Sequence, residues 1–460
     1  MNNCSAAITR SSVLRRSFRK DFPSAVRGEG VYVWDASGNR YLDLAGSAAV
    51  NFIGHGVAEI SAAMTQQAAR LEFVHTSQFT TPIAEEYAHE LLTFAGDHFC
   101  GGAVYFTCGG SESIETALKL ARQYQVEIGQ TRRYQIFSRQ QSYHGSTLGA
   151  LSVSGNKRRR EIYLPMVREF PHIGMPYCYR CAFDCTDGCR NCGQQYAAEL
   201  ETVIEASKGE AAAFIFEPVS GATLGAVVPP PGYLQSVAEI CHRHRVLLIA
   251  DEVMTGMGRT GRNFAVEHSW GEQGRVTPDI LVTAKGLSSG YAPLGAVIVS
   301  KKVVDAIAAG SGAFLHGFTY NAHPISLAAG RAVLQRLQSH KLVEAADSGR
   351  AGTSAAYFKK GLETLRSVET VGDVRGIGLL WGVEFVADEA SKRPFPPERN
   401  YAGRVSAVAL KRGLLVYPMQ GSVDGTAGDH LLLAPPAVIT REQIDWSIDQ
   451  LSAAILEARG

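Results

Sequence analysis

The sequence predicts an α/β protein, a mostly parallel sheet with helices on both faces joined to a smaller α+β lobe. Short, largely apolar segments at 212–217, 246–251 and 280–284 alternate with helix-patterned stretches, the signature of strands buried on both faces. Each segment ends in a polar group, Glu217, Asp251 and Lys285, and a parallel sheet gathers ligands at the carboxyl ends of its strands. At 460 residues and 45% hydrophobic content, the chain can bury a large core and should divide into at least two lobes.

The bulk properties exclude several functions. A formal charge of +1 with interspersed acids and bases gives no basic stripe, so nucleic acid is not an expected partner. No apolar run approaches a membrane span, and a soluble, cytoplasmic protein is expected. Arg10, Arg15, Arg16, Arg19 and Lys20 make the N-terminus basic, which reads as an arm lying on a partner subunit rather than a transit peptide, because no clear cleavage site follows. Nine cysteines without a secretory signal imply reduced thiols.

In chain order, 28–43 alternates apolar and polar residues around a Ser-Gly-Asn turn, a hairpin pattern. A glycine-bounded loop of small and apolar residues at 46–56 could line a pocket or cross the surface. Helices follow at 60–71 and 81–95, the second after Pro82. The strand 104–107 then leads through Cys108-Gly109-Gly110-Ser111 into a helix whose buried face carries Ile114, Leu118 and Ala121. A glycine turn opening a helix directs free N–H groups and the positive end of the helix dipole at one point, which suits a phosphate, and Ser111 adds a hydroxyl. Taken alone, that motif is an ordinary connection.

A strand at 133–138 leads to Ser142-Tyr143-His144-Gly145, where Tyr143 could stack on a flat ligand and His144 could hydrogen-bond at its edge. The cationic run 157–160 reads as a solvated face. Residues 178–192, CYRCAFDCTDGCRNC, contain two Cys-x-x-Cys pairs, Cys178 with Cys181 and Cys189 with Cys192, around Cys185. They resemble a four-thiolate zinc site, but the seven residues between the pairs are fewer than a zinc ribbon encloses, so metal-free thiols are favoured and no metal site is expected. A helix at 195–207 precedes the apolar strands.

Beyond a helix at 327–337 the pattern becomes a smaller lobe. It has a hairpin at 371–385, a helix at 404–412, short strands within 413–439 and a closing helix at 441–458. The expected division is an N-terminal arm and hairpin at 1–59 belonging to the small lobe, a large cofactor lobe at 60–325 and a C-terminal small domain at 326–460.

Lys285 is the chemical centre of this reading. A lysine at a strand end is ordinarily a solvated charge; withdrawn from water, its pKa falls and the free amine can form a Schiff base with a carbonyl. A reactive lysine, a buried Asp251, a stackable Tyr143 and a phosphate-suited helix start are together the parts that hold pyridoxal 5'-phosphate. In this arrangement Lys285 holds the aldehyde, Asp251 pairs with the pyridine nitrogen, Val253 and Tyr143 cover the ring faces, and Gly110 and Ser111 take the phosphate.

The ordered segments GVYVWDASGNRYLD, CGGSESIETALKLAR, YHG, EPV, ADEVMTGMGRTG, TAKGLSSGYAPLGA, HGFTYNAHPIS and LLLAPPAVIT resemble the class III aminotransferases, pyridoxal-phosphate enzymes of fold-type I. The resemblance implies Lys285 and Asp251 as catalytic residues. It implies Gly110, Ser111, Tyr143, His144, Glu217, Val253 and Thr319 as further cofactor contacts. It also implies a homodimer in which Thr319 reaches the neighbouring subunit's phosphate, with small amines and keto acids as substrates.

Departures from the family pattern bear on substrate. The ornithine-type branch carries an arginine where Leu432 stands and a glutamate where Ala222 stands; amine-type members commonly use an arginine at the place of Tyr417, and many have a glutamine at Met254. Common α-amino acids are therefore expected to be poor donors, because a carboxylate unpaired in a dehydrated pocket costs several kcal/mol. Amino transfer from a primary amine or ω-type amino acid to pyruvate or 2-oxoglutarate is the leading expectation. Decarboxylation, racemisation or amino-phosphate elimination on the same scaffold is the alternative. The keto-acid carboxylate needs a cation or donors, for which Arg180, Arg139, Arg158, Arg159, Arg160, His430 and Tyr417 are candidates.

Overall fold

In the computed structural model, which describes residues 11–18, 21–183, 189, 191–268 and 274–459, the chain begins as a meander of β1 (Ala25–Glu29), β2 (Tyr32–Asp35) and β3 (Arg40–Asp43). Asp35 closes the turn between the last two, accepting from the backbone N–H groups of Ser37 and Asn39, each at 2.9 Å. The large sheet follows from β4 (Ala103–Thr107), β5 (Gln135–Arg139), β6 (His172–Ile173), β7 (Ala211–Phe216), β8 (Leu247–Asp251), β9 (Ile280–Thr283) and β10 (Gly295–Val299). Its spatial order is β4-β10-β9-β8-β7-β5-β6.

All neighbours in this sheet are parallel except at β10, which runs against both β4 and β9. The cause is chain length. Between Thr283 and Gly295 there is one short helical turn, Lys285–Leu287, where a parallel return needs a crossover of a dozen or more residues.

Alternate residues of the buried strands enter two different cores. Phe214, Phe216, Leu248, Ala250 and Leu281 face one, packed with Leu91, Val237 and Leu327 from surrounding helices; Ala213, Ile215, Leu247, Ile249 and Val282 face the other, under the Ile114 and Ala117 face of the helix Gly110–Glu127. Strands covered on both faces need few polar residues within their span, and β7 to β9 are apolar ahead of Glu217, Asp251 and Thr283-Ala284-Lys285, as the sequence predicts.

The rest of the chain forms a second antiparallel sheet ordered β11-β12-β15-β14 from β11 (Val371–Ile377), β12 (Leu380–Phe385), β14 (Tyr417–Gln420) and β15 (Asp429–Leu433). The helices Tyr401–Lys411 and Arg441–Arg459 pack beside it. The two-residue β13 (Leu414–Leu415) pairs in parallel with β3, tying the N-terminal meander to the C-terminal region. Of the basic N-terminal run, Arg10, Arg19 and Lys20 lie outside the described residues.

Arg259 fastens these parts together. Buried to 2% exposure, it donates to the carbonyls of Ala434 at 3.0 Å, Pro435 at 2.6 Å and Asn51 at 2.9 Å, with its guanidinium 4.8 Å from the Phe52 ring centroid. Burial lowers its pKa to about 9, with Asp43 acting in the opposite sense. A buried carbonyl left without its donor costs about 1–3 kcal/mol. Arg259→Ala should therefore lower the thermal midpoint by several degrees, and Arg259→Lys should recover little of the loss, because a single ammonium cannot reproduce the planar fork. A thermal scan of both variants checks this, and a lysine variant as stable as wild type would show that the charge alone suffices.

Candidate active site

The register of three parallel strands assembles the polar groups. Phe216 of β7 lies opposite Ala250 and Asp251 of β8 opposite Val282, so Glu217, Asp251 and Lys285 emerge along one sheet edge. They line a cavity of about 330 Å³ with Gly110, Tyr143 and Val253, a volume suited to a small ligand.

Lys285 opens the helical turn after β9 with φ at +44°, a left-handed conformation that non-glycine residues adopt at a cost of about 1–3 kcal/mol and that clusters at functional sites. Burial lowers its pKa to about 8, partly opposed by the negative charges of Asp251 and Glu217 and reinforced by Arg159 and Arg259. The amine is thus freed for nucleophilic attack at a lower pH than an exposed lysine's. For Glu217 burial raises the carboxyl pKa; its Oε1 accepts from the backbone of Gly221 at 2.9 Å.

Asp251 is held from two sides. Its Oδ2 lies 2.7 Å from Nδ1 of His144, and its Oδ1 accepts from the backbone N–H of Val253 at 3.1 Å. His144 is buried behind the carboxylate, with its backbone N–H on Ser154 at 2.8 Å. The imidazole engages Asp251 through Nδ1, and its buried Nε2 has no hydrogen-bond partner. The sequence suggests this histidine for a ligand's edge; the fold gives it the aspartate.

On the opposite wall, the 18-residue helix Gly110–Glu127 starts at the cavity. A Cβ at Gly110 would come within 3.0 Å of Val253 Cγ1, so glycine lets the helix start close against that side chain. Ser111 Oγ accepts from the Ser146 backbone at 3.0 Å. Gly145 in Tyr143-His144-Gly145 makes this approach possible, having φ at +140° and a position where a Cβ would lie 2.6 Å from Ser111 Oγ. Tyr143 stands at the wall with its hydroxyl 2.8 Å from Ser146 Oγ and the Arg159 guanidinium 4.2 Å over its ring.

Thr319 is exposed and is not brought to the cavity within one chain. The structure adds residues that strand-end reasoning does not find. Val50 from the glycine-bounded loop reaches the cavity, and that loop is bolted down by Ser289, whose Oγ accepts from Phe52 at 2.8 Å and Ile53 at 3.1 Å. Glycine spacing marks the loop in the sequence, but nothing there names its anchor.

Most of the candidate carboxylate binders are engaged elsewhere. Arg180 pairs with Glu384 at 2.7 Å; Arg139 is buried and donates to the Glu217 carbonyl at 2.5 Å. His430 Nε2 lies 2.8 Å from the Ala222 carbonyl, and burial pushes its pKa down to about 4. Leu432 is buried in β15 between Gly382 and Tyr417, whereas Ala222 and Met254 line the cavity. Arg158 donates to Gln420 at 3.1 Å. Arg160 is partly buried, and burial lowers its pKa. Arg159, on the cavity-wall tyrosine, is the candidate whose charge acts on Lys285.

The aminotransferase class-III family profile matches residues 17–455. The chain belongs to the class III aminotransferases. Aminotransferase YodT of Bacillus subtilis (strain 168) is 39% identical over 97% of this chain and 97% of that protein. A diaminobutyrate–2-oxoglutarate transaminase of Halomonas elongata is 34% identical over 97% of this chain and 93% of its own length. Among solved structures, an (S)-enantioselective omega-transaminase from Thermomicrobium roseum superposes with a TM-score of 0.86 at 38% identity, covering 96% of this chain and 94% of that one. This aminotransferase has the fold-type I architecture of such enzymes and depends on pyridoxal 5'-phosphate. The buried amine, the fixed carboxylate and the glycine-opened helix around one cavity fit that cofactor.

With a pKa near 8, the amine is protonated and inert below that value and free above it. The second-order rate of cofactor capture by apoenzyme should rise about tenfold per pH unit up to pH 8 and then level. An exposed lysine would keep gaining to about pH 10.4. Stopped-flow absorbance across pH 6.5–10 distinguishes the two, and a continued rise above pH 9 would contradict the buried-amine assignment.

Proposed function

We propose that this class III aminotransferase takes its amino group from a primary amine, or from an amino acid whose amine lies away from the carboxylate, and gives it to a small keto acid such as pyruvate or 2-oxoglutarate. The observation carrying this is the cavity wall formed by Ala222 and Met254, with Leu432 buried in its sheet and Arg180, Arg139 and His430 committed to protein partners. Among the described residues lining the cavity none is an arginine, so a donor's α-carboxylate beside the reacting carbon meets no guanidinium in the wall itself. Arg159, stacked on Tyr143, supplies a cation at the cavity's edge for the carboxylate of the keto acid.

Bound in the cavity, pyridoxal 5'-phosphate supplies an aldehyde that condenses with amines and a ring that withdraws electrons from the carbon next to the nitrogen. Lys285 is assigned to hold the aldehyde and, once its amine is released, to take a proton at Nζ from the amine-bearing carbon and return it. Asp251, oriented by His144, would pair with the ring nitrogen, which would sustain the electron demand. Gly110 and Ser111 would hold the phosphate and Val253 and Tyr143 would confine the ring faces, with Glu217 beside the Tyr143 backbone. Thr319 is assigned to the phosphate of a neighbouring subunit.

The homodimer this requires is supported by apolar surface around Thr319, where Leu315 is 79% and Tyr320 58% exposed. The proposed partition at residues 59 and 325 is supported by the β13–β3 pairing, which joins the N-terminal meander to the small lobe. A cytoplasmic location is proposed on a cysteine pattern that reads as thiols rather than a disulfide framework. Among the described residues, no helix is long and apolar enough to cross a membrane.

The test is a single-turnover comparison of ornithine, glutamate, β-alanine, 4-aminobutyrate, putrescine and an arylalkylamine. Amines without an α-carboxylate should react fastest; glutamate or ornithine leading through the α-amino group would refute the substrate reading. Lys285→Ala should abolish turnover while retaining noncovalently bound cofactor by absorbance. Arg159→Ala should raise the keto-acid KM about 10- to 100-fold, the weight of a charged hydrogen bond, with the half-reaction of an uncharged arylalkylamine nearly unchanged. An unaltered keto-acid KM would remove Arg159 from the binding site.

A further inference from the structure

The cysteine-rich turn ahead of the helix Cys192–Ala206 plays no part in the chemistry above, yet its thiols are gathered. The sulfurs of Cys178, Cys189 and Cys192 all lie within 4.8 Å of one another. Cys181 stands just outside that group, one helical turn on from Cys178 with its backbone N–H on the Cys178 carbonyl at 3.3 Å, and its Sγ is held by the hydroxyl of Tyr196 on the helix that Cys192 begins. We propose that Cys178, Cys181, Cys189 and Cys192 bind one structural zinc ion.

Several features favour a metal over idle thiols. Each half is a Cys-x-x-Cys loop, the spacing that lets two sulfurs of one turn share a tetrahedral ion, and four sulfur ligands select zinc over oxygen-seeking cations. Cys189 has φ at +66°, an unusual conformation for a side chain other than asparagine or aspartate, and it turns the chain so that Cys192 can begin its helix against Cys178. That helix start adds a positive dipole beside the sulfurs. The Tyr196 hydroxyl donates to Cys181 Sγ at 3.6 Å and accepts from the Ala182 backbone at 2.9 Å, a second layer of support that orients a ligating thiolate. The short interval between the pairs, which argues against zinc in the linear sequence, is no obstacle once the strand β6 and the helix bring the two turns together. As each Zn–S bond forms, the thiol releases its proton to solvent.

The site also has a mechanical consequence. The same turn carries Tyr177 and Arg180, both on Glu384 of β12, and Arg375 of β11 closes the cluster at 2.9 Å from Glu384. Zinc would rigidify the point where the large lobe grips the second sheet.

The holoenzyme, purified in reductant without metal-affinity steps, should contain about one zinc per chain by elemental analysis. Cys178→Ser and Cys189→Ser should each lose it and melt at lower temperature. Lys285→Ala should keep it, which separates this site from the catalytic reading. Because the serine variants could fail to fold, wild-type protein provides the second measurement. Its four thiols should resist alkylation until a chelator is added, and cobalt exchange should give the charge-transfer and d–d bands of a tetrahedral thiolate site. Zinc far below one per chain with freely alkylated thiols, a disulfide between the pairs, or iron in place of zinc would each overturn the proposal.

Discussion

The in-register alignment of β7, β8 and β9 is the constraint on which this active site depends. Parallel pairing carries each strand's carboxyl end to the same edge, and Phe216 against Ala250 and Asp251 against Val282 leave little freedom in where Glu217, Asp251 and Lys285 emerge. A slip of one residue would send every alternate side chain into the opposite core. The two cores, one under the helix Gly110–Glu127 and one under helices on the other face, make such a slip costly, so packing far from the cavity fixes its chemistry.

Within that frame the electrostatics follow from burial. Two carboxylates and a lysine share one cavity, and burial acts on Lys285 and Glu217 in the direction that favours the neutral form of each. Asp251 is treated differently, held in place by an imidazole at 2.7 Å and by a backbone N–H. The cavity therefore offers an amine of lowered basicity and a fixed carboxylate side by side, the pair an electron-withdrawing pyridine cofactor needs. Strain adds to this: Lys285 sits at φ +44° because the chain must turn between β9 and the antiparallel β10 within a few residues.

The connection between lobes is polar and buried. Arg259 ties Asn51, Ala434 and Pro435, which are far apart in the chain, while Arg180 and Arg375 converge on Glu384. These clusters consume guanidinium groups, and this narrows substrate recognition. An arginine satisfied by a buried glutamate or by backbone carbonyls is unavailable to an incoming carboxylate. Arg159 differs because its visible partner is the ring of Tyr143.

The sequence by itself determined the residue types at the strand ends, the period of the buried strands, the glycine-opened helix and the family, because each is a local pattern or an ordered string of motifs. Strand and helix positions follow from it to within a few residues, as with β9 at Ile280–Thr283 and the helix Arg441–Arg459. Tertiary structure alone decided which polar groups meet. His144 falls to Asp251 across 107 positions, and Arg180 to Glu384 across 204. Likewise Cys178 comes beside Cys189 and Cys192, a gathering that the sequence reading of ordinary metal-free thiols does not specify. The physical reason is that a buried charge or donor takes the partner that folding places within about 3 Å of it. Sequence separation carries no information about that distance until the strands have paired.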